Sequence, residues 1–153
     1  IKSSKMLRNS TTVALPPTGR SALVIGASTG VEPLFSLIGP DGELAPVVRY
    51  ALGSRLNTEH EQALLQGSGL GPWCEPPVLE LLRTSMEIAP DDHLLMVAAL
   101  QPVVDESISK TINLSQNATV AEVEHIYMRA YSLGLKGMTM YRDGSSRFQP
   151  RRL

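Results

Sequence analysis

The residues best suited to ligand chemistry lie in one short turn, made of Pro17, Thr18, Gly19, Arg20 and Ser21. Thr18 and Ser21 offer two hydroxyl groups, and Gly19 permits close approach of the backbone to a ligand. The guanidinium of Arg20 has the fork geometry that matches phosphate oxygens. These residue types in one turn predict a phosphate-binding loop, and the alternative is an ordinary turn that enters a regular element.

A second glycine-bearing turn follows at Gly26–Gly30, after the apolar run Ala22-Leu-Val-Ile. A strand followed by glycines can present backbone N–H groups to a pyrophosphate, as in dinucleotide-binding proteins. Short-chain dehydrogenases carry a similar string, but the place of their third glycine is taken here by Glu32. No tyrosine has a lysine four residues later, which that family needs for proton transfer. We therefore do not expect an NAD-dependent oxidoreductase.

Cys74 is the single cysteine of the chain. A disulfide within the chain is therefore excluded, and a reducing compartment is indicated. With Glu75 beside it, Cys74 could serve as a nucleophile or a radical thiol, but its proline-rich surroundings favour an unreactive cysteine in a loop. The three histidines have no metal-ligand spacing with it, so no metal site is predicted. They are His60, His93 and His125.

Composition predicts one ordinary domain with a hydrophobic core, because 42% of the 153 residues are hydrophobic. The formal net charge of -1 argues against direct nucleic-acid binding. The one basic cluster, Arg147 with Arg151 and Arg152, is predicted to be a solvated tail over 146–153. No apolar run approaches the about 18 residues of a membrane span, so we expect a soluble, cytoplasmic protein. The chain begins at Ile1 without a signal-peptide pattern, and we expect it to be part of a longer protein.

The predicted phosphate loop stands at the start of Ser21–Ile25, an apolar run that we interpret as a short buried strand. Strand, helices, strand, helix and strand in succession predict an α/β fold with parallel pairing. Three or four strands are few for a complete parallel sheet, so we expect part of a larger barrel or sheet. The other predicted elements are a β-prone run at Thr11–Leu15, a turn at Gly39–Gly42, two short helices between Glu43 and Gln66, a helix at Val78–Glu87, a helix capped by Asp91 and kinked at Pro102 that continues to Ile108, a strand at Ser109–Leu114, a helix at Val120–Leu133 with a capping box of Thr119 and Glu122, and a strand at Met138–Tyr141.

Several motifs in fixed order resemble the C-terminal part of the catalytic chain of adenosylcobalamin-dependent (class II) ribonucleotide reductases. The resemblance covers nearly the whole chain, and the Ser-Lys-Thr-Ile-Asn and Tyr-Arg-Asp-Gly-Ser segments are its most specific parts. The motifs are Leu7-Arg-Asn9, Pro17-Thr-Gly19, Ser28-Thr-Gly-Val-Glu-Pro33, Glu87-Ile-Ala-Pro-Asp-Asp-His-Leu94, Ser109-Lys-Thr-Ile-Asn-Leu114 and Gly137-Met-Thr-Met-Tyr-Arg-Asp-Gly-Ser145.

The resemblance implies a ten-stranded α/β barrel, of which 11–145 would form the last strands and helices after a lead-in segment, 1–10. It implies reduction of a ribonucleotide's 2′-hydroxyl by a cysteine thiyl radical, which forms after homolysis of the cobalamin carbon–cobalt bond. It also implies that Pro17–Ser21 holds the phosphates of a ribonucleoside di- or triphosphate. The adenosylcobalamin would be held mainly by a missing or partner segment.

The sequence departs from the family pattern at the positions that matter for catalysis. The family's radical cysteine has an Asn two residues before it and a Glu two residues after it, whereas Cys74 has Pro72 and Pro76 there. A pair of redox cysteines is absent too, so the isolated chain is expected to be inactive without an N-terminal catalytic segment or subunit. Arg20 replaces the family's usual Thr or Ser, and Pro102-Val103 replaces a basic residue and a His. Two interpretations stay open: a part of a split reductase, or a non-catalytic nucleotide- or phosphate-binding regulatory module.

Overall fold

A computed structural model of the chain describes residues 8–145, except 26, 28 and 40. Most of the predicted lead-in 1–10 and the whole basic tail 146–153 lie outside the described residues. None of the helices formed by the described residues has the length and apolar character of a membrane span. The elements in chain order are α1 (Gly19–Ile25), α2 (Pro46–Leu52), a 3-10 turn (Gly53–Arg55), α3 (Thr58–Leu65), α4 (Pro76–Leu81), α5 (Pro90–Leu100), a second 3-10 turn (Gln101–Val103), β1 (Thr111–Leu114), α6 (Val120–Ser132) and β2 (Thr139–Arg142).

The regular centre of the molecule is the β1–α6–β2 unit. The two strands pair in parallel, with Thr111 opposite Thr139, and a parallel pair requires a crossover such as α6. Helix α6 starts with the predicted capping box: the Thr119 Oγ1 accepts a hydrogen bond from the Glu122 N–H at 3.2 Å, and the Glu122 carboxylate accepts one from the Thr119 N–H at 2.7 Å. The predictions for this unit are therefore confirmed to within two residues. They are the strands at Ser109–Leu114 and Met138–Tyr141 and the helix at Val120–Leu133.

The described buried apolar residues form three hydrophobic cores, of which the smallest contains Val97, Val104 and Ile108. The first of the two larger cores packs α5 and α6 against β1 and is centred on Ile112, which is fully buried. The second encloses the short helices α2 to α4, which the sequence predicted as two short helices between Glu43 and Gln66 and a third helix at Val78–Glu87. Its buried members are Ile38, Leu44, Val48, Leu52, Leu64, Cys74 and Leu82.

The prediction of a strand at Ser21–Ile25 is wrong, because this segment forms helix α1. A short apolar run fits a buried strand or a helix equally well, and the tertiary surroundings decide between them. Here the Thr18 carbonyl accepts the Ala22 N–H at 2.8 Å, which starts a helix. Of its apolar side chains, Ala22 is buried while Val24 and Ile25 are exposed.

The predicted long helix through Pro102 ends early. Helix α5 stops at Leu100, and Pro102 lies in the 3-10 turn Gln101–Val103, because proline has no N–H for the helical hydrogen bond. The Gln101 side chain then donates to the Val104 and Glu106 carbonyls at 3.3 and 3.0 Å, and the chain continues extended.

The predicted boundaries of two helices are also corrected. The N-cap of α5 is Ala89 rather than Asp91, because Pro90 occupies the first helical position. Helix α4 ends at Leu81 instead of Glu87. The reason is a turn in which the Glu87 carboxylate accepts the N–H and hydroxyl of Thr84 at 2.7 and 2.8 Å.

Isolated bridges join the irregular segments to the regular ones. The β-prone run Thr11–Leu15 forms one parallel bridge, between Leu15 and Ile108, and not a full strand. A second parallel bridge joins Leu34 to Thr84, and an antiparallel one joins Ile38 to Leu44 around the predicted glycine turn. The α/β class with parallel pairing is confirmed, although the first predicted strand is a helix. The described residues form a two-stranded sheet and not a complete barrel.

Candidate functional site

The predicted phosphate loop, Pro17–Ser21, lies where the chain leaves the bridge at Leu15 and enters α1. Its backbone turns at Thr18, whose carbonyl also accepts the Ser21 hydroxyl at 3.3 Å. Thr18 is half-buried, whereas Gly19, Arg20 and Ser21 are exposed. The turn therefore keeps its hydroxyl and guanidinium groups together at the surface.

Gly30 lies in a second turn, next to this loop. Its φ of +60° favours glycine, and a Cβ built on it would lie 3.6 Å from the Thr18 Oγ1. The turn that contains Gly30 is closed by the Glu32 N–H, which donates to the Thr29 carbonyl at 3.1 Å. The two glycine-bearing turns of the sequence, which suggested alternative ligand sites, thus lie against each other.

Glu32 and Lys110 connect this double turn to β1. The Lys110 Nζ lies 2.7 Å from the Glu32 Oε2 and donates to the Thr111 carbonyl at 2.8 Å. The Glu32 Oε1 accepts the Thr111 N–H at 2.6 Å. The Lys110 side chain is only 2% exposed, and that of Glu32 is 26% exposed. Sequence reasoning named both residues inside family motifs but missed their contact, because they are far apart along the chain.

A buried histidine lies behind the ion pair. The His93 Nε2 is 3.1 Å from the Ser85 carbonyl oxygen, so this histidine has a structural contact. Burial, followed by the nearby positive charge of Lys110, lowers the pKa of His93, so the neutral imidazole is favoured. Within the part of the chain that the structure describes, the buried Ser85 hydroxyl is a polar side-chain atom with no hydrogen-bond partner.

Asp105 fixes the segment that leads into the loop. Its Oδ2 accepts the Thr12 N–H at 2.8 Å, the Thr12 hydroxyl at 2.9 Å and the Val13 N–H at 3.0 Å. These hydrogen bonds, chiefly those from Thr12, lower the pKa of Asp105. The Lys136 Nζ donates to the Asp105 carbonyl at 2.6 Å. The segment that precedes β2 is therefore held next to Asp105.

Arg20 is available for a ligand. Its side chain is exposed, and within the described residues its guanidinium takes part in no hydrogen bond or ion pair. Several other described arginines are paired, for example Arg129 with Asp91 at 2.9 Å and Arg55 with Glu75 at 3.1 Å. The unpaired guanidinium of Arg20 can bind a phosphate without first breaking a contact.

Two cavities of the described residues lie away from the loop. One, of about 830 Å³, lies between the segment Phe35–Ile38, the glycine-rich connector and the ends of β1 and β2, and includes Arg83. The other, of about 1000 Å³, lies between the start of α5 and α6 and includes His125. No sequence pattern indicates either cavity, because each is assembled from segments that are distant along the chain. The Pro17–Ser21 loop lines neither of them, so it is an open surface site.

The remaining candidates have structural surroundings. Cys74 is 4% exposed in the second core, and burial is the main cause that raises the pKa of its thiol, which disfavours the thiolate. The His60 ring stacks on Trp73 with centroids 3.9 Å apart, and His125 is exposed on α6. Among the described residues no three His, Cys, Asp or Glu side chains form a metal-binding cluster.

Comparison with known proteins decides the family. Residues 3–141 match the family model described as the barrel domain of ribonucleotide reductase. The chain belongs to the ribonucleotide reductase family. The family resemblance of the sequence motifs is thereby confirmed.

Curated relatives carry names that agree with this family. A vitamin B12-dependent ribonucleoside-diphosphate reductase of Mycobacterium tuberculosis H37Rv is 34% identical over 149 residues, which are 90% of this chain and 21% of that protein. One from Thermoplasma acidophilum is 31% identical over 94% of this chain and 20% of its own length. A vitamin B12-dependent ribonucleotide reductase of Streptantibioticus cattleyicolor is 33% identical over 94% of this chain and 27% of its own length. The chain thus spans between a fifth and about a quarter of these relatives.

A solved structure shows the same fold. The α subunit of the class Id ribonucleotide reductase of Actinobacillus ureae matches with a TM-score of 0.76 at 23% identity, over 90% of this chain and 27% of that chain. At this identity the likeness concerns the fold alone. It agrees with an α/β architecture that is part of a reductase barrel.

Proposed function

We propose that this chain is the substrate-phosphate-binding, C-terminal portion of a cobalamin-dependent ribonucleotide reductase. The observation that carries the proposal is the exposed loop Pro17–Ser21, with the unpaired guanidinium of Arg20, in a chain that matches the reductase barrel domain. Relatives over most of the chain are named vitamin B12-dependent reductases, two of them for ribonucleoside diphosphates.

Each residue of the loop has a distinct role in this proposal. Arg20 would neutralise the phosphate charge with paired N–H donors, and the Thr18 hydroxyl would donate to another phosphate oxygen. The Ser21 hydroxyl would do the same after leaving the Thr18 carbonyl. Gly19 would let the backbone approach, since a Cβ at this position meets nothing within 4 Å. The substrate class is therefore a ribonucleoside di- or triphosphate held by its phosphate groups.

The catalytic groups come from another segment in this proposal. The thiol of Cys74 is buried in a core, so the radical cysteine would be supplied by an N-terminal segment or subunit, together with the remaining strands of a ten-stranded barrel. The exposed Val24 and Ile25 of α1, and the edge of β2 that has no neighbour among the described strands, are surfaces that such a segment would cover. Residues 11–145 would then be the barrel portion of this chain.

We assign adenosylcobalamin to the same N-terminal segment. Among the described residues, His93 is buried against Ser85 and His60 is stacked on Trp73, so neither of these imidazoles is placed to contact a large cofactor. His125 is the described histidine whose side chain is exposed. When bound, the cofactor would supply the radical that oxidises the partner's cysteine, while this chain binds and orients the substrate.

The test is to mix the chain with a segment that carries the Asn-x-Cys-x-Glu loop. We expect adenosylcobalamin-dependent reduction of a ribonucleoside diphosphate or triphosphate only when both are present. Arg20→Ala should raise KM for the nucleotide at least about tenfold, by loss of a charge-assisted hydrogen bond. The matched control Arg55→Ala removes another exposed arginine and should leave KM unchanged.

Two results would overturn the proposal. If both proteins are folded and the mixture has no reductase activity, the chain is not the missing portion of that enzyme. Nucleotide binding by the chain alone, measured by calorimetry with ADP and ATP and without any reduction after mixing, would indicate the regulatory module instead.

A further inference from the structure

The Glu32–Lys110 ion pair joins the turn behind the phosphate loop to the first strand of the sheet. The pair spans two sequence motifs that lie 78 residues apart. One motif contains Gly30, where an added Cβ would lie 3.6 Å from the Thr18 Oγ1 of the loop, and the other contains the start of β1.

Glu32 takes the place of a strand neighbour on β1. The Ser109 N–H donates to the Leu15 carbonyl at 2.9 Å, and the next N–H on the same edge, that of Thr111, donates to the Glu32 Oε1 at 2.6 Å. In a strand, alternate N–H groups point to the same edge. Because Pro16 and Pro17 lead the chain away after Leu15, the carboxylate of Glu32 satisfies a donor that would otherwise be left without a partner.

The charges fix the position of this carboxylate. Lys110 is almost completely buried, so its ammonium group needs a partner, and the Glu32 Oε2 provides it at 2.7 Å. With one oxygen bound to the Thr111 N–H and the other to Lys110, the carboxylate of Glu32 is held at both ends. The turn Thr29–Glu32 is therefore attached to β1 at a defined point.

Gly30 carries this order to the phosphate loop. It lies within the attached turn, and a Cβ built on it would come to 3.6 Å from the Thr18 Oγ1, so the turn and the loop are neighbours. A displacement of the turn would free space next to Thr18 and let this residue move. Thr18 starts helix α1, which carries the exposed Arg20 and Ser21, so these two residues would move with it. The ion pair thus acts on the ligand groups through backbone position and not through contact with the ligand.

We propose that Glu32 and Lys110 are positioning residues that hold the turn Thr29–Glu32 on β1 and thereby order the substrate-phosphate loop Pro17–Ser21. The phosphate-binding part of this inference rests on the proposed function. The ordering of the loop by the ion pair does not, since it concerns the chain's own contacts.

Amide hydrogen exchange of the full chain tests the ordering directly. Lys110→Met removes the buried charge and leaves Glu32 partly solvated, so the chain should remain folded. We expect exchange of the backbone amides from Thr18 to Glu32 to become at least about tenfold faster, while the amides of α6 keep their protection. The double variant Glu32→Gln with Lys110→Met removes both charges and should give the same local change. The matched control is Arg129→Met, which removes the exposed ion pair between α5 and α6.

Pyrophosphate binding by the full chain, measured by calorimetry, tests the consequence for the site. Lys110→Met should weaken binding about tenfold or more, because misplaced binding groups lose much of their effect, and Arg129→Met should not. If exchange from Thr18 to Glu32 is unchanged in Lys110→Met and in the double variant, the positioning role is overturned. If exchange rises while neither Lys110→Met nor Arg20→Ala alters pyrophosphate binding, the positioning role stands and the phosphate-binding function fails.

Discussion

Two regions of this molecule are held together in opposite ways. The β1–α6–β2 unit is specified by neighbours in sequence: a capping box of four residues, Thr119 to Glu122, an apolar face on α6 and a glycine that follows the helix. The loop region from Thr12 to Glu32 is held by side chains from distant parts of the chain, Asp105 at a separation of 93 residues and Lys110 at 78. The scaffold is therefore locally determined, while the candidate ligand site depends on long-range polar contacts.

The ion pairs show the same contrast. The Arg129–Asp91 pair joins α5 to α6 with side chains 39% and 52% exposed, whereas Lys110 of the loop region is 2% exposed. Exposed pairs contribute little because water screens the charges. A buried pair is costly to break, because one charge is then left buried without a partner.

The largest expected effect follows from breaking the buried pair on one side. Glu32→Gln leaves the Lys110 ammonium buried beside an uncharged amide, so the free energy of unfolding should fall by about 3–5 kcal/mol. Urea unfolding measures this. Asp91→Asn breaks the exposed pair as a control and should cost less than about 1 kcal/mol. Equal losses in the two variants would remove the distinction between the regions.

A core substitution tests the scaffold region. Ile112 is fully buried between α5 and α6, so Ile112→Ala should lower the free energy of unfolding by about 2–5 kcal/mol. Ile112→Val, measured in the same urea titration, should cost about 0.5–1.5 kcal/mol. If Ile112→Ala lowers the free energy of unfolding by less than the range expected for Ile112→Val, this core is loosely packed.

The capping box of α6 should have a smaller effect. Thr119→Ala removes the acceptor for the Glu122 N–H, and the free energy of unfolding should fall by about 1 kcal/mol. Thr119→Ser keeps the hydroxyl and should preserve most of the stability in thermal or urea unfolding. A destabilisation by Ser as large as that by Ala would show that the methyl group, and not the cap, stabilises this end.

The smallest effect is expected from pH at Asp105. Its pKa in the folded chain lies below the ordinary aspartate value of about 3.9, chiefly because Thr12 donates to the carboxylate. A lowered carboxyl pKa contributes stability above the unfolded value, and this contribution is lost as the pH falls below about 4 and through the folded pKa.

Unfolding curves between about pH 6 and pH 2 test the contribution of Asp105. The loss of stability in acid should be shallower in Asp105→Asn than in the unaltered chain. Glu122→Gln is a useful comparison, because the pKa of Glu122 is lowered in the same direction by Thr119. Identical acid profiles for Asp105→Asn and the unaltered chain would contradict the role of these hydrogen bonds.

Local signals in the sequence predicted the scaffold and failed in the loop region. The capping residue Thr119, the period of α6 and the β-branched residues around Ile112 all favour the structure that forms, so the predictions there are confirmed. At Ser21–Ile25 the sequence supplied only an apolar run, which is compatible with a strand or a helix. At Pro102 it supplied a helix breaker, and whether the helix bends or ends depends on the polar groups available nearby, here the Gln101 amide.

The sequence by itself determined the family, the α/β class and the residue types of the candidate phosphate loop. These rest on motifs and periodicities that are read over a few residues. Only the tertiary structure decided that Ser21–Ile25 is a helix and that the turn of Gly30 lies next to Thr18. The same holds for the ion pair of Glu32 with Lys110 at the edge of β1. The physical reason is that a buried ammonium group and an open strand edge acquire their partners through chain folding, and no local pattern encodes which distant carboxylate will satisfy both.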